Sequence, residues 1–348
     1  MVLESIDNFS IDKKPMNKIS IIAICILLTT THAFDLIGPM RKVTDSNGLT
    51  AVERHGRLTS VNGKVVNQYG AIPQLNGMSM FWSQWMGKYW NADVINWFVS
   101  DWKVTVIRAA MGVNQGGYLE NPDAEKAKMV AVIDAAIKNG IYVICDWHIE
   151  GQNKGNVDRS KDFFTQMSSK YGSYKHVLCE GWNEPTQQDW SSEIKPYHQQ
   201  ILQTIRAHSQ TLYIAGSSTW SQDAEKACGD KITGDNVAYT LHFYVASHGA
   251  DLRGRAENAM NNGCALFITE WGTCEASGNG RVDTGSVTQW LDWAKSHGIG
   301  TANWGFEDKA ESCAALSPNA ASNGGWNDGQ LSESGRFVRG YLRGFLLL

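Results

Sequence analysis

Residues 104–147, VTVIRAAMGVNQGGYLENPDAEKAKMVAVIDAAIKNGIYVICDW, contain two short apolar runs on either side of an amphipathic segment. The runs Val104–Ala110 and Ile141–Trp147 have the length and the β-branched content of buried strands. Within Ala124–Asn139 the apolar residues recur at the spacing of one helix face: Met129, Val132, Ile133, Ala136 and Ile137. The Asn-Gly dipeptide that follows is typical of a helix end. The stretch therefore predicts a strand, a helix and a second strand.

The same alternation continues along the rest of the chain. The further predicted strands are Gln74–Met80, Val177–Trp182, Leu212–Ala215, Val237–His242, Ala265–Thr269 and Gly300–Trp304. Helical patterns lie between them, most clearly in Pro196–Ser209 and Ser286–His297. Strand–helix units repeated at a spacing of about 30 residues predict an α/β fold, the (β/α)8 TIM barrel. A doubly wound open sheet is the alternative, but no glycine-rich dinucleotide loop follows the first strand.

A β-hairpin is predicted just before the barrel. The runs Arg57–Val61 and Lys64–Gln68 flank Asn62-Gly63, which is typical of a two-residue hairpin turn. Residues 34–56 are polar and without a periodic pattern, so we interpret them as a linker. We expect residues 57–345 to form a single domain, with no appended binding module.

The N-terminus has the pattern of a signal peptide. Lysines precede the apolar run Ile19–Leu28, and two small residues separated by one position, Thr31 and Ala33, follow it. This pattern predicts an N-terminal extension and signal peptide over residues 1–33, with cleavage after Ala33 and secretion to the extracellular space. Met16 is an alternative start. The apolar run is short for a membrane span, although a signal anchor is the alternative.

The composition limits the possible partners. The 348 residues carry a net charge of -4 without a run of like charges, which argues against nucleic acid or an anionic membrane as a partner. The 14 tryptophans can fill a core or form flat platforms for sugar rings.

The cysteines fit an oxidising compartment. Cys25 lies in the predicted signal peptide, and six cysteines remain: Cys145, Cys179, Cys228, Cys264, Cys274 and Cys313. Secretion permits disulfides among them, in several possible connectivities. No Cys-x-x-Cys pair is present, which argues against a zinc or thioredoxin-type site.

Polar and aromatic residues follow nearly every predicted strand. They are Arg108, Asp146-Trp-His148, Asn183-Glu184-Pro185, His242-Phe-Tyr244, Thr269-Glu270-Trp-Gly272 and Asn303-Trp304. Active residues of a TIM barrel cluster at the carboxyl ends of its strands. Glu184 and Glu270 follow strands four and seven of the barrel, which face each other across its mouth. Two carboxyl groups placed in this way can flank one glycosidic bond.

Residues 57–345 resemble the cellulases of glycoside hydrolase family five, subfamily two, of the bacterial and plant-parasitic-nematode type. Besides the strand-end motifs, the matching segments are Gly77–Trp85, Val106–Arg108, Thr219–Asp223, and Lys309 with Glu311. Phe81 departs from the pattern, because several relatives carry histidine there. Cys179-Glu-Gly-Trp182 before the predicted acid is also less usual, and Trp182 either narrows the cleft or packs behind the strand.

The resemblance implies a retaining mechanism. Glu270 would be the nucleophile and Glu184 the general acid/base, with their carboxyl groups about 5–5.5 Å apart. Glu184 would stay protonated near neutrality while Glu270 stays ionised. Arg108 and Tyr244 would hold the nucleophile charged and oriented.

The resemblance also implies the substrate contacts. Asn183 would bond the sugar 2-hydroxyl, and His148 and His242 would lie beside the reacting ring and the acid. The remaining implied contacts are Trp304 as the floor of the cleaving subsite, Trp85, Lys309 and Glu311 on the non-reducing side, and Trp220 on the leaving side. We expect Trp147, Trp271, Trp290 and Trp293 to lie in the core.

The resulting prediction is a secreted, monomeric endo-β-1,4-glucanase that acts on β-glucans such as cellulose and carboxymethylcellulose. No cofactor, metal or membrane is expected to take part once the signal is removed. The alternatives are a retaining mannanase, xylanase or lichenase on the same scaffold, or a non-catalytic carbohydrate-binding barrel. A metal-dependent hydrolase is disfavoured because the sequence lacks a His-Glu-x-x-His motif.

One disulfide is predicted from the adjacency of two loops. Cys274 and Cys313 lie in the loops after barrel strands seven and eight, which are neighbours at the mouth. A bridge there would brace the loop that carries Lys309 and Glu311. We expect Cys145 and Cys179 to be buried free thiols inside strands. The pairing of Cys228 and Cys264 stays open at this point.

Overall fold

The computed structural model describes residue 42 and residues 44–345. The predicted signal peptide over residues 1–33 lies outside the described residues, together with its cleavage site and the alternative start. Among the residues that the structure describes, no helix has the length and apolarity needed to cross a bilayer.

The predicted hairpin is present and precedes the barrel. Strands β1 (Thr59–Val61) and β2 (Lys64–Val66) pair antiparallel. The turn residues Asn62 and Gly63 both have positive φ, 47° and 75°, as a two-residue hairpin turn of this kind requires.

The stretch predicted as a linker, residues 34–56, ends in a helix that the sequence analysis missed. The helix spans Ala51–His55, and Thr50 and Glu53 form a reciprocal capping box at its start. Val52 is the buried residue of this helix. A helix of this length has little periodicity to detect, so the capping box was its one visible signal.

Eight parallel strands form a closed barrel, which confirms the predicted fold. The strands are β3 (Asn76–Met80), β4 (Val106–Gly112), β5 (Tyr142–His148), β6 (Val177–Glu180), β7 (Tyr213–Ala215), β8 (Val237–Tyr244), β9 (Ala265–Gly272) and β10 (Thr301–Phe306). Each strand pairs with the next one along the chain, and β10 closes the barrel on β3. Each of them overlaps one predicted strand.

Helices surround the barrel. In chain order they span Ala92–Trp97, Pro122–Asn139, Val157–Tyr171, Lys195–Arg206, Ala224–Gly229, Ala250–Asn261, Thr284–His297 and Glu333–Phe345. The helix predicted over Ala124–Asn139 is confirmed, and it ends at Gly140 in the left-handed conformation. Of the tryptophans expected in the core, Trp147, Trp271 and Trp290 are buried. Trp182 is buried too, and its ring packs on Tyr197 at 5.1 Å, so it lies behind the strand.

The hairpin closes the amino-terminal end of the barrel. Leu58 and Val65 pack into the same apolar cluster as the inward-facing Val106 and Ile144. Tyr142 donates a hydrogen bond of 2.6 Å to the carbonyl oxygen of Gly56. The hairpin thus covers the apolar interior of the barrel at this end.

Two disulfides are present. Cys274 and Cys313 are joined with a Cα–Cα distance of 5.5 Å, which confirms the predicted bridge. Cys228 and Cys264, left open by the sequence, form the second, with Cα atoms 6.0 Å apart. Cys145 and Cys179 are buried free thiols, as predicted.

Candidate active site

An open cleft of about 900 Å³ lies at the carboxyl ends of the barrel strands. The predicted site residues that line it are Glu184, Glu270, His148, Asn183, His242, Tyr244, Trp304, Trp85, Trp220, Lys309 and Glu311. Arg108 does not line the cleft, because its side chain is completely buried and bonded to Glu270. The structure therefore brings the whole predicted set to one place.

Glu184 lies beyond the end of β6, which stops at Glu180 rather than at the predicted Trp182. Its main-chain nitrogen donates to the carbonyl oxygen of Ile149 at 3.1 Å, so the loop continues the pairing with β5. Its side-chain Oε1 lies 2.8 Å from Nδ1 of His242. Burial raises the pKa of Glu184 well above its ordinary value, and the negative charge of Glu270 adds to the increase.

Glu270 lies inside β9 and is held by two donors. Arg108 Nη1 donates to its Oε2 at 2.9 Å, and the Tyr244 hydroxyl donates to its Oε1 at 2.7 Å. Burial raises the pKa of Glu270, but the Arg108 charge and the Tyr244 hydrogen bond both act to lower it. These two contacts favour the ionised carboxylate in Glu270, while Glu184 has the more strongly raised pKa.

The two carboxyl groups are close together. One side-chain oxygen of Glu184, one of Glu270 and a ring nitrogen of His242 all lie within 4.8 Å of one another. This separation matches retaining glycosidases, whose carboxyl groups lie about 5–5.5 Å apart, and not inverting ones, which need room for a water. In the part of the chain that the structure describes, this is also the one cluster of potential metal ligands. Its atoms already have hydrogen-bond partners within the protein, so the geometry needs no ion to explain it.

Arg108 binds three buried carboxylates at once. Besides Glu270, it contacts Asp146 at 3.0 Å and Glu180 at 2.8 Å. Its Nη2 also donates to Oδ1 of Asn183 at 2.5 Å. Burial raises the pKa of Asp146 and of Glu180 to about 7, although the arginine acts against this rise. One guanidinium therefore stabilises a cluster that would otherwise be strongly repulsive.

Sequence reasoning assigned no role to Asp146 or Glu180. They are direct register partners on β5 and β6, and both side chains are completely buried. The available signal was a charged residue inside an apolar strand, because a buried charge needs a partner. Arg108, in the strand before, was the one candidate cation in a neighbouring predicted strand.

A directional hydrogen-bond path runs from Glu184 to Glu180. The Thr269 hydroxyl donates to Oε1 of Glu180 at 2.9 Å, so its oxygen is free to accept from Nε2 of His242 at 2.8 Å. Burial lowers the pKa of His242 well below its ordinary value, so the ring is neutral. The proton on Nε2 leaves Nδ1 as the acceptor that faces Glu184, and a protonated Glu184 donates to it. Thr269 is a second residue to which the sequence analysis gave no role.

His148 and Trp304 form one wall of the cleft. Nδ1 of His148 lies 2.7 Å from Oδ2 of Asp146, which fixes the ring. The imidazole stacks on the Trp304 indole at 5.1 Å and meets Trp82 edge-on at 4.2 Å. The ring of Phe81 also packs against Trp304, with 5.0 Å between the ring centres. Phe81 therefore gives the cleft an apolar surface beside Trp304.

Two tryptophans and one charged pair also line the cleft. Trp85 is 48% exposed, and the centre of its ring lies 6.3 Å from the centre of the Phe81 ring. The Lys309 ammonium lies 4.8 Å from the centre of the Phe81 ring and pairs with Glu311 at 2.6 Å. Trp220 is 42% exposed elsewhere on the cleft lining. Exposed indoles in a cleft with buried carboxylates are typical of a sugar-binding surface.

The chain forms a TIM barrel with two paired carboxyl groups and exposed tryptophans at the carboxyl ends of its strands. These features identify its class of protein, the glycoside hydrolases. Comparison with protein families gives a more particular result. The model of the cellulase family (glycosyl hydrolase family 5) matches residues 63–310, and the chain belongs to this family.

Relatives and solved structures agree with the assignment. Endoglucanase N of Pectobacterium atrosepticum is 40% identical over 298 residues, which cover 84% of this chain and 67% of that one. Endoglucanase A of Evansella cellulosilytica is 42% identical, with 86% and 62% covered. The chain thus spans about two thirds of these relatives or slightly less. The catalytic domain of Thermobifida fusca endoglucanase Cel5A superposes with a TM-score of 0.81 at 31% identity, covering 85% of this chain and 100% of that domain.

Proposed function

We propose that this protein is a retaining endo-β-1,4-glucanase with Glu270 as nucleophile and Glu184 as general acid/base. The observation that carries the proposal is the close pair of carboxyl groups in two different environments. Arg108 and Tyr244 favour the charged form of one, whereas burial favours the protonated form of the other. Relatives of this chain are named endoglucanases, and the Thermobifida fusca domain has also been solved in complex with cellotetraose.

In the first half-reaction, a carboxylate oxygen of Glu270 attacks the anomeric carbon. The bond from that carbon to the glycosidic oxygen breaks, and Glu184 delivers its proton to the departing oxygen. Arg108 and Tyr244 keep Glu270 ionised and oriented until the bond forms. The product is a glucosyl ester of Glu270 and a free shortened chain.

In the second half-reaction, the ionised Glu184 takes a proton from a water molecule, whose oxygen attacks the same anomeric carbon. The ester bond breaks and Glu270 leaves as a carboxylate. Two inversions return the β configuration. The His242 ring, neutral and held by Thr269, stays beside Glu184 through both steps, and it accepts a hydrogen bond from Glu184 whenever that carboxyl is protonated.

The remaining cleft residues provide the sugar contacts. We assign Trp304 to the floor of the cleaving subsite, Trp85 with Lys309 and Glu311 to the non-reducing side, and Trp220 to the leaving side. Because Oδ1 of Asn183 accepts from Arg108, its amide nitrogen is the group that contacts the sugar 2-hydroxyl. This arrangement suits a β-glucan such as cellulose or carboxymethylcellulose.

Secretion and a monomeric state are also part of this proposal. The predicted signal peptide is its basis, and the two disulfides are the kind of bond that persists in an oxidising compartment.

The test compares carboxymethylcellulose, xylan and mannan under identical conditions. We expect hydrolysis of carboxymethylcellulose to dominate, and Glu270→Gln to abolish it while cello-oligosaccharides still bind, because the covalent step is lost. Preference for mannan or xylan would replace the substrate assignment. Proton NMR early in hydrolysis should show the β anomer first, and an initial α product would refute the double displacement.

A further inference from the structure

Glu150 and Trp220 form a hydrogen bond across the lining of the cleft. The indole Nε1 of Trp220 donates to Oε1 of Glu150 at 2.7 Å. Both residues line the cleft, and the Trp220 side chain is 42% exposed. Neither the family motifs nor the mechanism above uses Glu150.

The main chain that carries Trp220 has an unusual conformation. Thr219, Trp220 and Ser221 are consecutive left-handed residues, with φ values of 58°, 51° and 56°. The left-handed conformation costs about 1–2 kcal/mol for each L-residue. It is held by the segment after the acid, because the nitrogens of Thr219 and Trp220 donate to the carbonyl oxygens of Thr186 and Pro185 at 2.8 and 2.9 Å.

The main chain of Glu150 is bonded to the same segment around the acid. It forms a parallel β-bridge with Glu184, and the nitrogen of Gly151 donates to the carbonyl oxygen of Glu184 at 2.8 Å. The acid, Glu150 and the main chain of Trp220 are thus fixed to one another. The ring of Trp220, which stands half in solvent, is the part whose orientation the backbone does not fix.

We propose that Glu150 is a positioning residue that orients the Trp220 ring as the platform for the sugar on the leaving side. The inference rests on the proposed glucanase function and adds a residue to it. A sugar ring stacks on one face of an indole, so the platform works only when that face is turned toward the leaving group. A carboxylate that accepts from Nε1 fixes the ring at its edge and leaves both faces free.

Glu150 has a second effect on the acid. Its negative charge helps to raise the pKa of Glu184, together with burial and the charges of Glu270 and Glu180, while Arg108 acts in the opposite direction. Glu150→Gln separates the two effects, because the amide oxygen can still accept from Trp220 but the charge is gone. Glu150→Leu removes both.

The kinetic test uses two substrates of the whole protein. Cellotetraose occupies the leaving side with sugar, whereas β-cellotriosyl fluoride has only fluoride there. We expect Glu150→Leu to lower kcat/KM for cellotetraose by about two- to tenfold, the range for one lost hydrogen bond, with little loss on the fluoride. Glu150→Gln should restore most of the cellotetraose rate. It should also move the alkaline limb of the pH profile to lower pH, because the pKa of Glu184 falls.

The protein contains a matched control. Trp293 Nε1 donates to Oε1 of Glu257 at 2.6 Å on helices outside the cleft. Glu257→Leu makes the same chemical change and should leave both substrates unaffected. At a pH below the alkaline limb, where loss of the Glu150 charge leaves Glu184 protonated, Glu150→Leu should cause no additional loss on cellotetraose when it is combined with Trp220→Phe, which keeps an aromatic ring but has no N–H. Additive losses, or equal losses on both substrates, would overturn the positioning role.

An NMR measurement separates this inference from the proposed function. The indole ¹H–¹⁵N signal of Trp220 is identified by its disappearance in Trp220→Phe. We expect Glu150→Leu to move it and Glu257→Leu to leave it in place. A signal that Glu150→Leu does not move would refute the contact. Failure of the wild-type protein to hydrolyse either substrate would instead refute the glucanase assignment, and with it the sugar platform.

Discussion

The disulfide between Cys274 and Cys313 joins the two loops that follow β9 and β10. The nitrogen of Cys313 also donates to the carbonyl oxygen of Gly278 at 3.0 Å, so a main-chain hydrogen bond joins the same two loops. Gly278 and the nearby Glu311 both line the cleft. Replacing both cysteines by serine should therefore reduce stability and loosen this part of the cleft together.

The loss of stability follows from the length of chain that the bridge closes. The two cysteines are 39 residues apart in the sequence. The chain-entropy model gives about 4 kcal/mol for a loop of this size. For a barrel of about 300 residues, the unfolding entropy converts this into a decrease in Tm of about 6 °C. Strain in the native bridge would make the decrease smaller.

The second disulfide supplies the control. Cys228 and Cys264 are 36 residues apart, so their removal should cost the same amount within error, about 4 kcal/mol. Neither lines the cleft, and Cys264 precedes β9 at its amino end. The measurements are thermal unfolding by circular dichroism and KM for cellotetraose. We expect both serine double variants to lose stability, and only Cys274→Ser with Cys313→Ser to raise KM at nearly constant kcat. Equal changes of KM in the two variants would refute the bracing argument.

Three other predictions concern the acid and its hydrogen-bond path. Glu184→Gln should stop cellotetraose hydrolysis but still release the phenol of a dinitrophenyl cellobioside, which needs no protonation; equal loss on both would refute the acid role. The folded-state pKa of Glu184 lies above the ordinary 4.5, so the ionised group lowers stability as pH rises above that value. Glu184→Gln should therefore raise Tm at pH 7, and the gain should vanish near pH 4. Thr269→Val should lower kcat on cellotetraose more than on the dinitrophenyl substrate, because His242 loses the acceptor that fixes its tautomer; equal loss would contradict this.

Much of the fold could be predicted because local patterns and global topology agree. The barrel strands are buried on both faces, so each appears in the sequence as a short continuous apolar run. Asn62-Gly63 specifies its own turn, and Gly140 specifies a helix end. The Cys274–Cys313 pair followed from topology, since consecutive loops of a closed barrel are neighbours.

The parts that were missed depend on contacts between distant residues. The Cys228–Cys264 bridge joins the end of a helix to the start of β9, and no rule of barrel topology brings those two points together. The left-handed turn at Trp220 contains no glycine, so its sequence gives no sign of the conformation that Thr186 and Pro185 impose on it. The bond from Trp220 to Glu150 could not be anticipated without that turn.

The guanidinium of Arg108 lies near two carboxyl groups that need different protonation states. Glu270 must be ionised to act as nucleophile, and Glu184 must be protonated to act as acid. The guanidinium touches Glu270 directly, and there it lowers the pKa against the effect of burial. The Arg108 charge also acts to lower the pKa of Glu184, but there burial and the charges of Glu270 and Glu150 outweigh it. Arg108 donates a hydrogen bond to Glu270, whereas the bonded partner of Glu184 is the His242 ring, so the arginine favours ionisation of the nucleophile more than that of the acid. The difference in pKa between two carboxyls within 4.8 Å of one another thus depends on Arg108 and Tyr244 bonding the nucleophile directly.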